Sequence, residues 1–280
     1  MNYRHIIERG SKILKKNSII TANIDAELLL SISLKVSREK ILLNLENELK
    51  QYEINKYISL INRRKKKEPI SYIVGNKFFW KYSFNINKNV LTPRFETELL
   101  VEEILNIFKQ SNYLNVLDVG VGSGCILISL LKEKANWKGT AIDISKLALK
   151  TAKINAKIQH IENRIKFLNS DIDNFCRDKY DLIISNPPYI KQLEINDLDK
   201  DIKNHEPKVA LDGGIDGYCK IRLIIKKSSN LIKKKGKLFL EIGTNQTIET
   251  LKILNLNGFY KTRIVKDLSS KNRCIVSTKI

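Results

Sequence analysis

Two short runs of this 280-residue chain combine residue types at spacings that chemistry requires. The first is Leu117-Asp118-Val119-Gly120-Val121-Gly122-Ser123-Gly124. Its three alternate glycines permit tight turning and close approach of a ligand to the backbone. They separate a continuous apolar stretch, Val116 to Val119, from a helical pattern over Cys125 to Lys134, whose N-terminus would offer free N–H groups. Asp143 ends the next apolar stretch, where a carboxylate can accept both hydroxyls of a ribose lying across the strand ends. The order of residues discriminates between nucleoside ligands. A dinucleotide fingerprint reads G-x-G-x-x-G, with its pyrophosphate on the helix N-terminus. Here it reads D-x-G-x-G-x-G, and Asp118 before the loop would repel a pyrophosphate but suits a ligand bearing positive charge. After the third strand, Asp171 is placed near the amino group of an adenine and Ile172 offers it an apolar face.

The second run is Ser185-Asn186-Pro187-Pro188-Tyr189-Ile190, after a fourth strand. In sheets of this kind ligands bind at the carboxyl ends of the strands. Pro187 and Pro188 fix φ and remove two backbone donors, leaving carbonyls and the Asn186 amide to line the pocket. Such a lining suits a neutral amide or aromatic amine as nucleophile, whose nitrogen lone pair is delocalised. The Asn186 side-chain oxygen and the Pro187 carbonyl can take its two hydrogens, which frees the lone pair for an in-line displacement. Catalysis is then mainly positioning and electrostatics, with no strong general base. Tyr189 can pack on the flat substrate group.

The elements that must hold these runs follow from periodicity. From Asn115 onward strands and helices alternate, at 116–119, 140–144, 165–168, 180–184 and 237–242 for the strands. This predicts an α/β fold with a doubly wound, mainly parallel sheet, closed by an antiparallel pair over 259–265 and 274–278. Residues 1–74 read as a small helical bundle, with apolar faces Ile24-Leu28-Ile32 and Ile54-Tyr57-Ile58-Ile61. Its last helix ends in the basic run Arg63 to Lys67, a favourable place for cations. Residues 75–91 form a β-hairpin linker, with the strand formers Phe78 to Ile86 followed by a turn at Asn87 to Asn89, and 92–280 form the second domain. Thr92-Pro93 is expected to open a helix running through Leu105.

Composition excludes several classes. No apolar run approaches the roughly 20 residues of a membrane span, and the N-terminus has no apolar signal core, so a cytoplasmic protein is expected. Cys125, Cys176, Cys219 and Cys274 are widely spaced, which predicts free, mostly buried thiols and neither a metal site nor a disulfide framework. The net charge of +20 is compatible with nucleic acid, but the abundance of Lys, Ile and Asn also looks like an AT-rich coding bias.

The glycine run resembles motif I of the Rossmann-like class I methyltransferases, whose cofactor, S-adenosyl-L-methionine, carries an ammonium and a sulfonium. Asn-Pro-Pro-Tyr also marks DNA adenine and cytosine amino-methyltransferases. More segments narrow the likeness: Asp25-Ala26-Glu27-Leu28-Leu29, Glu68-Pro69-Ile70-Ser71-Tyr72 with Gly75, and Leu91-Thr92-Pro93-Arg94-Phe95-Glu96-Thr97-Glu98. It continues through Glu206 to Gly214 with Asp216-Gly217, Leu240-Glu241-Ile242-Gly243, and Lys266-Asp267-Leu268 with Arg273. Over essentially its whole length the chain resembles the HemK-type (PrmC) glutamine N5-methyltransferases that modify peptide chain release factors. The Thr-Pro-Arg-x-Glu-Thr-Glu segment favours that group over its sister, which methylates a ribosomal protein. Phe95, where the family usually has proline, and Ile172, where an aromatic can occur, depart from the pattern. The resemblance implies a helical bundle that grips the release factor and a substrate glutamine in a Gly-Gly-Gln loop. A nucleic-acid amino-methyltransferase and a silent binding protein remain as rivals. Few aromatics in the first 74 residues weigh against the former, and intact Asp118, Asp143 and Asn186 against the latter.

Overall fold

A computed structural model describes residues 1–280. It divides into two compact units, Met1–Gly75 with Asp199–His205, and Asn76–Leu198 with Glu206–Ile280.

The first unit holds helices α1 (Tyr3–Lys16), α2 (Ala22–Leu34), α3 (Arg38–Leu43), α4 (Gln51–Lys65) and α5 (Ile70–Val74). Asn2 caps α1 by accepting the His5 N–H, and Ser37 caps α3 through the Lys40 N–H. Tyr57 and Ile61 of α4 are buried with Ile54 and Ile58 packed beside them, as the spacing predicts. In α2 the expected face is wrong. Ile24 is exposed, and the core side carries Ala22, Ala26, Leu29 and Leu30. This helix is apolar nearly all round, so periodicity does not single out a face. The basic run also departs from expectation. Arg64 is buried, donating to Asp25 at 2.7 Å, to Asp201 at 2.6 Å and to the Glu68 carbonyl at 2.9 Å. Asp201 comes from the short helix α9 (Lys200–Lys203), and this tie accompanies the placement of Asp199–His205 in this unit.

The second unit begins with the hairpin β1 (Asn76–Phe79) and β2 (Tyr82–Asn85), followed by α6 (Glu98–Ile107). The chain then alternates through β3 (Asn115–Val119), α7 (Cys125–Glu133), β4 (Lys138–Asp143), α8 (Lys146–Ile158), β5 (Ile165–Asn169) and β6 (Tyr180–Ser185). After α9 come α10 (Cys219–Leu231), β7 (Ile232–Glu241), α11 (Thr247–Leu256), β8 (Phe259–Lys266) and β9 (Asn272–Lys279). The seven-stranded sheet has the order β5-β4-β3-β6-β7-β9-β8, with β5 to β7 parallel and β9 and β8 added antiparallel. The doubly wound sheet is therefore as expected.

The expected hairpin forms and packs on α8: Asn85 exchanges hydrogen bonds with the buried Asn155, and Asn87 donates to Thr151. The turn at Asn87 to Asn89 is present too, with the Val90 N–H donating to the Asn87 carbonyl at 3.2 Å. The hairpin reverses at Trp80-Lys81, with Trp80 at φ 57. No glycine marks that turn; the Trp80 N–H is held by Glu98 and its indole by Glu133. Contrary to expectation, Thr92-Pro93 does not open a helix. Arg94 is still extended and is tied to Glu206 at 2.6 Å, and helical structure starts at Phe95. Of the four free cysteines, Cys125 and Cys274 are buried but Cys176 and Cys219 are exposed. No helix is long and apolar enough to cross a membrane.

Candidate active site

Strand β3 pairs in parallel with both β4 and β6, and Val119 lies opposite Ser185. Ser185 Oγ donates to the Val119 carbonyl at 2.8 Å. The residues that follow, Gly120 and Asn186, therefore leave the sheet side by side, where the direction of winding reverses. Such a switch point opens a crevice beyond the strand ends. A cavity lies there, lined by Val119 to Ser123, Ile142 to Ser145, Ser170 to Ile172 and Ser185 to Pro188. Segment 89–94, Pro207, Val209 and Ala210 also line it, with Thr97, Cys125, Ile126, Ala148, Lys220 and Ile224.

Gly120 and Gly122 have φ of 77° and 55°, a region L side chains rarely adopt, and an added Cβ would meet nothing closer than 4.0 Å. Glycine is needed at both for backbone conformation, and the side facing the cavity stays open. Gly124 lies behind them as the N-cap of α7, packed on Ile128 and Ala152. The expected free N–H groups of the loop are largely spent inside the fold. Gly120 and Val121 donate to the Ile142 carbonyl, Gly122 to Asp143 Oδ2 and Gly124 to the Val121 carbonyl.

Asp118 sits beneath the loop and is 1% exposed. Burial pushes its carboxyl up to about 7, the neighbouring Asp143 charge adds to this, and a hydrogen bond from the Leu127 N–H acts the other way. The first turn of α7 thus spends its dipole on Asp118, which leaves little to attract a pyrophosphate. Asp118 Oδ2 is buried without a hydrogen-bond partner. Asp143, at the end of β4, accepts from Ser145 N at 2.8 Å and from Gly122 N at 3.0 Å. Burial raises it and these two donors oppose the rise. Each Asp143 oxygen keeps a second lone pair for hydroxyl donors. Buried Asp118 beneath the loop and half-buried Asp143 on the cavity wall, both with spare acceptor capacity, fit a ligand with a cationic group and a diol.

Asp171 and Ile172 follow β5 on the cavity wall; Asp171 accepts from Asp173 N, and Ile172 is buried in the core cluster. Asn186, Pro187 and Pro188 line the cavity. Tyr189 is placed differently from expectation. Its ring packs on the core cluster, not on the cavity, and its carbonyl accepts from Gln246 at 3.2 Å. Burial pushes its phenol up to about 12. The cause lies just beyond: Ile190 bridges to Asp212, and Gly213 and Gly217 press against the Tyr189 backbone, turning the loop inward.

Asn186 has neighbours that spacing does not reveal. Its Nδ2 donates to Thr97 Oγ1 at 3.3 Å, and Thr97 Oγ1 donates to Glu241 Oε2 at 2.8 Å. Thr97 and Glu241 are 3% and 4% exposed. Burial pushes Glu241 up to about 7, opposed by the Thr97 hydrogen bond, the Arg273 charge and a hydrogen bond from Asn186. Thr97 and Glu241 are 144 positions apart, and nothing in their local patterns marks them as partners.

Residues 95–209 match the family described as Methyltransferase small domain, and residues 5–75 match the PrmC N-terminal domain. A release factor glutamine methyltransferase of Clostridium botulinum is 40% identical and covers 100% of both chains. Another, of Caulobacter vibrioides, is 38% identical over 95% of this chain and 92% of its own. Among solved structures, a methyltransferase from Pyrococcus furiosus shares the fold with a TM-score of 0.53, at 14% identity, over 70% of this chain and 88% of that one.

Proposed function

This chain belongs to the release factor glutamine methyltransferase family, and from that premise we propose that it transfers a methyl group from S-adenosyl-L-methionine to the side-chain N5 of the glutamine in the Gly-Gly-Gln motif of peptide chain release factors. The observation that carries the reading is the meeting of Gly120 and Asn186 at one switch point, through the β3–β6 pairing.

When bound, the cofactor supplies an electrophilic methyl group on a sulfonium. Gly120, Val121, Gly122 and Ser123 would form its floor, with Gly124 behind them turning the chain into α7. Asp143 would take the ribose hydroxyls, Asp118 would supply negative charge for its ammonium, and Asp171 and Ile172 would flank the adenine. Asp118 does not itself line the cavity, so its unpaired Oδ2 would act on the ammonium from beneath the loop, as a charge and not as a direct contact. On the substrate side, Asn186 Oδ1 and the Pro187 carbonyl accept the two amide hydrogens. The nitrogen is then pyramidalised toward the reacting methyl, and its lone pair leaves conjugation with the carbonyl. Pro187 and Pro188 hold the carbonyls without competing donors. Tyr189 supports the loop from the core side. The methylated nitrogen carries an acidic proton that water removes after transfer.

The helical unit serves as the grip on the release factor, and direct nucleic-acid recognition has no part in catalysis. The reaction belongs in the cytoplasm, where release factors work. The test is to incubate the chain with cofactor and an intact release factor and fragment the product by mass spectrometry. One added methyl on the Gly-Gly-Gln side chain is expected; methylation at any other residue contradicts the reading.

A further inference from the structure

We propose that Glu241 is a positioning residue which, through Thr97, fixes the orientation of the Asn186 amide and so decides which end of it faces the reacting nitrogen. The inference rests on the reading of Asn186 given above. An asparagine side chain can present either oxygen or NH2 to a cavity, and its neighbours must decide. Ionised Glu241 only accepts hydrogen bonds. Thr97 has a single hydroxyl proton and gives it to Glu241 at 2.8 Å. Its oxygen is then left with lone pairs alone, so toward Asn186 it can only accept. Asn186 Nδ2 meets that oxygen at 3.3 Å and also hydrogen-bonds Glu241. Both acceptors hold the NH2 end, and Oδ1 is left for the cavity that Asn186 lines. Reversed, the amide would present donors to a substrate nitrogen that has only hydrogens to offer.

The carboxylate also polarises the amide in the useful direction. Negative charge behind the NH2 end increases the negative character of Oδ1 as positive charge develops on the substrate nitrogen. Glu241 shares its surroundings with Arg273 and Cys274 on β9, Glu96 ahead of α6, Tyr189 after β6 and Cys125 on α7. Arg273 favours the ionised form, while burial and the Glu96 charge oppose it, which brings protonation close to neutral pH. A protonated Glu241 can donate to Thr97, which reverses the chain and no longer specifies the amide.

The experiment compares Thr97→Val, Thr97→Ser and Glu241→Gln, with Asn186→Ala as reference, reading turnover at saturating cofactor and cofactor affinity separately. Thr97→Val keeps the volume and loses the relay; turnover is expected to fall about tenfold, with cofactor affinity changing by a smaller factor. Thr97→Ser keeps the hydroxyl and is expected to restore turnover. Wild-type turnover falls as pH drops through about 7, and Glu241→Gln removes that limb. Thr97→Val added to Asn186→Ala costs nothing further, because the relay acts only through Asn186. The proposal is overturned if Thr97→Val and Thr97→Ser turn over equally, or if the double variant is slower than Asn186→Ala by the full factor. It is also overturned if the pH limb survives in Glu241→Gln. Should Thr97→Val lose cofactor binding through misfolding, the pH profile of Glu241→Gln decides alone. A wild-type rate in Asn186→Ala would instead remove the underlying reading.

Discussion

Two buried aspartates show how differently the two units treat charge. Asp25, 3% exposed in the helical unit, has Arg64 against it at 2.7 Å, and the same guanidinium reaches Asp201 and the Glu68 carbonyl. Asp118, 1% exposed in the sheet unit, has one oxygen with no partner and a second acid, Asp143, as its electrostatic neighbour. The first arrangement is closed within the fold. The second leaves one buried oxygen without a partner, beneath the glycine loop that lines the cavity. Burial of charge alone therefore does not mark a site; burial without internal compensation does.

The comparison is broken most forcefully at Arg64. Arg64→Leu leaves Asp25 buried without its cation, and the helical unit should lose about 3–5 kcal/mol in denaturant titration. Asp118→Asn should cost the cofactor-free chain far less, since the Asp118 carboxyl is pushed up to about 7 and has the Leu127 N–H but no cation beside it. Equal losses in both variants would erase the distinction. Next in size is Asn186→Ala, for which turnover should fall by roughly 100- to 1000-fold while cofactor affinity changes less. Asn186→Asp keeps an acceptor but loses the NH2 held by Thr97 and sets a second carboxylate beside Glu241, so it too should fall well below wild type. Asp143→Ala should weaken cofactor binding by about 1.5–3 kcal/mol per ribose hydrogen bond lost; calorimetry showing unchanged affinity would remove Asp143 from the site.

The smallest effect is pH-dependent and sharpens the role of Asp118. Its folded pKa, about 7, lies above that of the unfolded chain. The folded chain therefore binds the extra proton, and that contribution to stability is present at low pH and fades as pH rises through about 7. A cationic ligand favours the ionised form, so binding near pH 6 should release a proton. Affinity should then rise with pH, by up to about tenfold per unit below 7. Calorimetry in buffers of different ionisation enthalpy measures the proton directly, and a flat affinity across pH 5 to 7 would contradict the pairing.

The sheet and the glycine loop were legible because both are written locally. A loop that needs positive φ at Gly120 and Gly122 must show glycine there, and parallel strands buried on both faces must be apolar throughout. Asn186 was legible because two prolines after a strand end are unusual enough to notice. What escaped depends on contacts between distant segments. Thr97 meets Glu241 across 144 positions, and Arg64 meets Asp201 across 137. No periodicity encodes either pair. The turn at Trp80 escaped for a related reason: tertiary hydrogen bonds to Glu98 and Glu133 hold a conformation that local turn chemistry would assign to glycine or asparagine. Tyr189 was assigned to the substrate from its aromatic ring, but packing against the core governs where it points.

The most direct test of the central claim is methyl transfer from labelled cofactor to purified release factor, ribosomal protein, RNA and DNA in parallel. The account predicts label on the release factor alone, lost when its Gly-Gly-Gln glutamine is replaced. Label on nucleic acid or ribosomal protein at comparable rate, or label on the release factor that survives that replacement, would contradict it.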